Sequence, residues 1–92
     1  MRETVNEYIT KQKSPQKEIL IELRRLINSK YPGVKEEMLM GAVRFGDNKC
    51  YIISLADRVN LGILSFDGKK TMKTKEIKSL KDINVTEINR LI

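Results

Sequence analysis

Apolar positions along the chain change their period from helical to alternating and back, and each change marks a boundary. Val5, Tyr8 and Ile9 recur at helical spacing behind Thr4-Val5-Asn6-Glu7. That tetrad is a capping box, in which the Thr4 hydroxyl accepts from the Glu7 amide and the Glu7 carboxylate returns to the Thr4 amide. It predicts a short helix over about Val5 to Gln12. Ser14-Pro15 predicts a second start, with Ser14 as N-cap and Pro15 at the first helical position, where its missing N–H leaves nothing unsatisfied. Behind it Ile19, Leu20, Leu23, Leu26 and Ile27 form one broad apolar stripe, opposite Lys17, Glu22, Arg25 and Asn28. Pro32 drives Tyr31 out of the α region, and Gly33 completes the stop.

From Glu36 the period drops to two. In EEMLMGAVRF, Met38, Met40 and Ala42 share one phase and Leu39, Val43 and Phe45 the other, which predicts one strand with Gly41 inside it as a bulge or a point of close approach. Gly46-Asp47-Asn48 is turn chemistry, so Glu37 to Phe45 and Lys49 to Ala56 are expected to form a hairpin. Lys49 to Leu64, KCYIISLADRVNLGIL, is the one stretch rich enough to fill the middle of a sheet. Cys50 to Ala56 is apolar on both phases, as in a strand covered on both faces. Val59, Leu61 and Ile63 alternate with Asn60 and Gly62, as in a strand with one open face. Asp57-Arg58 turns the chain between them, and Asp67-Gly68 is a third hairpin signal leading to a lysine-rich strand over about Thr71 to Lys78. Asn84 and Glu87 repeat the capping-box pattern ahead of Val85, Ile88, Leu91 and Ile92.

The expected fold is α+β: two N-terminal helices, a four-stranded antiparallel meander sheet and a short C-terminal helix, in a single domain over residues 1–92. The stripe of the second helix is expected to cover the central strands, with the last helix docked beside it.

Composition narrows the function classes. The 92 residues are 40% hydrophobic and 33% charged, with a net charge of +6, and no apolar run approaches the roughly 18 residues that a membrane span needs. Polar groups precede any apolar cluster in Met1 to Thr10, so no secretory signal is expected and the location read from the sequence is cytoplasmic. The lone Cys50 suits a reducing compartment and an inert core thiol. There is no histidine, which argues against zinc and copper centres and against histidine acid–base catalysis. Phosphate-cradling glycine loops are also missing. No enzyme activity and no cofactor are expected. Glu36-Glu37 and the pair Glu3 and Glu7 are read as solvated charge, not as a metal site.

The excess charge is uneven. Residues 1–33 carry seven basic and four acidic groups, residues 34–68 four and five, and residues 69–92 seven and three. Lys69, Lys70, Lys73, Lys75, Lys78 and Lys81 fit the protection of a sheet edge against pairing. The same run is the alternative nucleic-acid surface, binding phosphates without sequence preference. Aromatic residues make up only 5% of the chain, and Tyr51 is expected in the core, which leaves little for base stacking.

Read together, VNEYI, PQKEILIELRRLI, YPGVKEEMLMGAVRF, VNLGIL and KEIKSLKDINVTEINRLI span nearly the whole chain. In order and spacing they resemble the YdhG-like family, a domain-of-unknown-function family. That family is similar in outline to frataxin-like proteins, and some members are described as iron chaperones, a role that depends on acidic surface. The chain departs from the family pattern at Met40, Gly41, Ala42 and Val43, where the family has an aromatic before the glycine and a proline two residues after it. It departs again at the short loop SFDGKK. The resemblance implies a binding site near Gly41, Arg44, Phe45, Lys49 and Arg58, with Gly41 allowing close backbone approach and Arg44 and Lys49 meeting an anion across the first hairpin turn.

The functional expectation is a small non-enzymatic binding or accessory domain whose partner is an anionic ligand or a protein. A frataxin-like iron chaperone and a non-specific nucleic-acid binder are the alternatives. A protein-interaction module, monomeric or homodimeric, is a further possibility that exposed Met38 or Met40 on an open sheet face would favour.

Overall fold

The computed structural model describes residues 4–39, 41–46, 50–66 and 70–92. Its elements run α1 (Val5–Thr10), α2 (Gln16–Lys30), β1 (Glu36–Leu39), β2 (Ala42–Phe45), β3 (Cys50–Ser54), β4 (Val59–Phe66), β5 (Lys70–Ile77), a single 3-10 turn (Leu80–Asp82) and α3 (Val85–Leu91). The class is α+β, with three helices and one antiparallel sheet in the order β1-β2-β3-β4-β5.

The sheet has five strands where four were expected, and Gly41 is the reason. Leu39 pairs with Ala42, so only two residues connect β1 to β2, and Gly41 takes φ +81°. A side chain there would be strained although nothing crowds the position. Gly41 is thus a turn residue, not a bulge inside one long strand, and no other part of the described chain approaches it closely.

The helix ends follow their chemistry with two exceptions, at the starts of α2 and α3. Thr4 and Glu7 make the reciprocal capping box, and α1 ends at Thr10, a little before the expected Gln12. Ser14 does not cap α2: Pro15 is the N-cap, and the Ser14 hydroxyl donates to Glu18 Oε1 at 2.7 Å. Tyr31 leaves the α region at φ −124°, ψ 76°, and Gly33 follows at φ +77°, as Pro32 requires. At α3 the Asn84 side chain accepts from the Glu87 amide. The capping box expected here is only half made, because the Glu87 carboxylate pairs with Lys75 Nζ on β5 at 2.7 Å instead of returning to the Asn84 amide.

Strand register sorts the residues onto two faces. Glu36, Phe45, Cys50, Ile63 and Lys73 form one row of registered partners across the five strands, and Met38, Val43, Ile52, Leu61 and Lys75 form another. Both rows face the helices, and their central members are buried with Ile19, Leu20, Leu23 and Ile27 of α2 and Ile88 of α3. Each such side chain contributes roughly 1.5–3 kcal/mol by leaving water. Lys30 Nζ and the Tyr31 hydroxyl, at the end of α2, donate to the Ile92 carbonyl at 2.7 and 2.9 Å and fix α3 beside α2.

The other face carries no helix among the described residues. Its central row is Glu37, Arg44, Tyr51, Gly62 and Thr74. Tyr51 therefore lies outside the core, half-buried over Gly62, while Phe45 is fully buried. Met38 is half-buried against the core, so it is not the exposed methionine that would have favoured a protein interface. Met40, the 47–48 part of the first hairpin turn and the Asp67-Gly68 turn lie outside the described residues.

Candidate functional site

The four described residues that the resemblance singled out lie in different parts of the fold. Gly41 sits in the β1–β2 turn, Arg44 lies on the uncovered sheet face, and Phe45 points into the core at 0% exposure. Phe45, fully buried on the helix side, lies on the face opposite Arg44, since side chains alternate along β2. Arg44 is already paired with Glu37, its registered neighbour on β1. Arg58, at the entrance to β4, holds Asp57 Oδ1 at 2.7 Å and lies 3.6 Å from Glu76 Oε1. Each of these two arginines carries its own carboxylate, so among the described residues their charges on the uncovered face are offset. Lys49 lies outside the described residues.

The lysine run is divided by register. β5 is an edge strand, as the lysines suggested. Lys73 and Lys75 pair with Ile63 and Leu61 and so lie on the helix side, whereas Tyr51 is on the other face. The lysines and the one described aromatic of the open face therefore point to opposite sides of the sheet. Lys75 is committed to Glu87, Lys78 and Lys81 are exposed around the 3-10 turn, and Lys70 enters the ladder opposite Phe66. Lys69 lies outside the described residues.

Glu36 and Glu37 are not solvated charge. Arg24 reaches Glu36 with both arms of its guanidinium, Nε to Oε2 at 2.9 Å and Nη2 to Oε1 at 2.7 Å. Asn28 Nδ2 adds a bond to Oε2 at 2.9 Å, and Arg24 Nη1 donates to Asn6 Oδ1 at 2.6 Å. This brace joins α1, α2 and β1. Partial burial pushes the Glu36 carboxyl up, but the hydrogen bonds from Arg24 and Asn28 and the Arg24 charge outweigh it and hold the group below its ordinary value. The bond to Glu36 raises Arg24 in turn. Glu36 is bound by Arg24 and Asn28 and Glu37 by Arg44, and alternation along β1 turns the two carboxylates to opposite faces of the sheet. Among the described residues no three His, Cys, Asp or Glu side chains converge.

A different place draws cations together. Between the α1–α2 connection and the end of β3 lies a cleft of about 440 Å³, lined by Lys11, Gln12, Lys13, Gln16, Ser54, Leu55 and Ala56. Its walls are fixed by three hydrogen-bonded ties. Tyr8, buried, accepts from the Ser54 amide at 2.9 Å and holds α1 against β3. Gln12 Nε2 donates to the Tyr8 carbonyl at 2.8 Å. Gln16, only 8% exposed, donates from Nε2 to the carbonyls of both Leu55 and Ala56 at 3.0 Å, so the first turn of α2 grips the β3–β4 connection. Lys11 Nζ stands 5.9 Å from the centre of the Tyr8 ring.

Lys11 and Lys13 are the only charged groups among the described residues lining this cleft. The N-terminal end of α2 opens beside them and favours negative charge. Glu18 already occupies that turn, its carboxyl held low by the Ser14 hydroxyl and by its own amide, so the attraction for an anion rests on the lysines. Sequence reasoning missed this site because its two sides lie some forty residues apart and no motif spacing connects them. Comparison of the chain with protein-family models, with curated proteins and with solved structures finds no match in any of the three.

Proposed function

We propose that the chain is a small binding module of the YdhG-like kind that holds an anionic ligand without transforming it, in the cleft between the α1–α2 connection and the β3–β4 connection. The observation that carries this reading is the pairing of Lys11 and Lys13 in a cleft whose described lining contains no carboxylate. Two cations lining one cleft attract a multiply charged anion more than a monovalent one, since each added charge gains attraction from both lysines. The basic excess of residues 1–33 acts in the same direction.

The test is a calorimetric titration with inorganic pyrophosphate at low and moderate salt. Saturable binding is expected to weaken by about tenfold, or about 1.4 kcal/mol, in Lys13→Gln and further in the double variant with Lys11→Gln. Absence of binding at low salt, or binding unchanged in the double variant, would end the reading. Binding that is instead lost on replacing Lys73, Lys78 and Lys81 would transfer the anion site to the β5 edge and revive the nucleic-acid alternative.

A further inference from the structure

The helix-facing rows of the sheet run out before the helices cover them completely. At the β5 end of one row, Ile63 is followed by Lys73, and at the end of the next Leu61 is followed by Lys75. Between β5 and α3 this leaves a groove of about 410 Å³ with Ile63 and Leu91 as its apolar lining and Lys73, Lys75 and Glu87 as its charged groups. That volume is within the range of small-ligand sites, roughly 300–1,000 Å³. Ile63 is 7% exposed and Leu91 half-buried, so both belong to the core yet show an edge to the groove.

The charges define what fits. Lys75 Nζ is bound to Glu87 Oε1 at 2.7 Å, a bridge from β5 to α3 that closes one side. Lys73 is exposed and makes no ion pair among the described residues. Among its described lining the groove thus has one available cation beside apolar surface, and a carboxylate close by that repels a second negative charge. A neutral hydrocarbon would leave the ammonium unused, and a polyanion would meet Glu87. The matching chemistry is a single negative head on a short hydrocarbon tail.

We propose that this groove binds a soluble medium-chain fatty-acid anion, its carboxylate on Lys73 and its chain against Ile63 and Leu91. The site is separate from the Lys11 and Lys13 cleft, and its fate does not depend on that reading.

The test titrates the whole chain with decanoate below its micelle-forming concentration and follows backbone amide shifts. Saturable shifts are expected at Lys73, Lys75 and along Val85–Leu91. Lys73→Gln is expected to weaken binding about tenfold and Lys73→Arg to keep it, with decanol about tenfold weaker than decanoate. The variants sit at an exposed position, so unchanged spectra elsewhere report an intact fold. The proposal is overturned by a lack of saturable shifts, or by decanol or the glutamine variant binding as well as their counterparts. Association with phosphatidylglycerol vesicles without binding of monomeric decanoate would also overturn it, in favour of a membrane surface.

Discussion

The ring of Tyr51 lies directly over Gly62, its registered partner across the β3–β4 ladder: a Cβ on Gly62 would fall 2.1 Å from Tyr51 Cε1, 2.2 Å from Cζ and 2.6 Å from the phenol oxygen. The glycine supplies no side chain to its strand, and the tyrosine covers the bare backbone in its place. Two effects then oppose each other on substitution. Gly62→Ala gains roughly 0.5–1 kcal/mol from the restricted unfolded chain, but the displaced ring costs roughly 1–3 kcal/mol. Urea denaturation is expected to show net destabilisation of about 1–2 kcal/mol with Tyr51 present and a reversal of sign in a Tyr51→Ala background. Equal effects in both backgrounds would show that the contact carries no energy.

Gln16 makes the second expectation. Its carboxamide holds the Leu55 and Ala56 carbonyls, and Gln16→Ala leaves both without that donor, at a cost of about 1–3 kcal/mol. The loss is expected to be local first: the Leu55 amide, which bonds to the Arg58 carbonyl at 2.7 Å, should exchange its hydrogen faster than amides in the middle of β3.

Acid stability tests the brace around Glu36. The folded carboxyl lies below its ordinary value, so the brace contributes fully at pH above the ordinary carboxylate range. That contribution disappears as pH falls through the lowered folded value. Glu36→Gln is expected to lower stability at neutral pH and to flatten its fall between neutral and acid pH. Arg24→Ala should be worse at neutral pH by about 1–3 kcal/mol, because it leaves a partly buried carboxylate without its main partner. Stability curves of the three proteins that run parallel across the acid range would refute the assignment.

Gly41 offers a backbone test. Its φ of +81° predicts that Gly41→Ala destabilises by about 1–2 kcal/mol, while Gly41→Asn costs less, since asparagine tolerates that region. A long unbroken strand would have responded in the opposite order.

The helices were legible because their information is local. Thr4 and Glu7, the stripe from Ile19 to Ile27, and Pro32-Gly33 each state a start, a buried face or a stop within a few residues. Gly41 was not legible, since Met40-Gly41-Ala42 offers none of the polar residues that usually accompany a tight turn and a strand glycine looks the same in sequence. Tyr51 was misplaced because β3 is apolar on both phases, and only its pairing with Gly62 shows which phase the helices leave uncovered. The brace joins Arg24 to Glu36 and the cleft joins Lys13 to Ser54, and in both cases the partners meet only once the sheet has formed. Arg44 and Arg58 were read from the sequence as contacts for an anion, and the cross-strand carboxylates beside them, Glu37 and Glu76, follow only from the strand register.

Every ladder in this sheet joins strands that follow one another in the chain. The sheet can therefore grow hairpin by hairpin, with each new strand finding its partner already in place and little loop entropy lost at each step. Its cover is another matter, because α2 comes before all five strands, and the surface that buries Leu20 and Leu23 is completed only when β3 and β4 have paired. During synthesis the α2 stripe must remain exposed while the sheet is assembled. The interval before β4 closes is when this chain is most open to aggregation, and α2 is the segment that a holding chaperone would grasp.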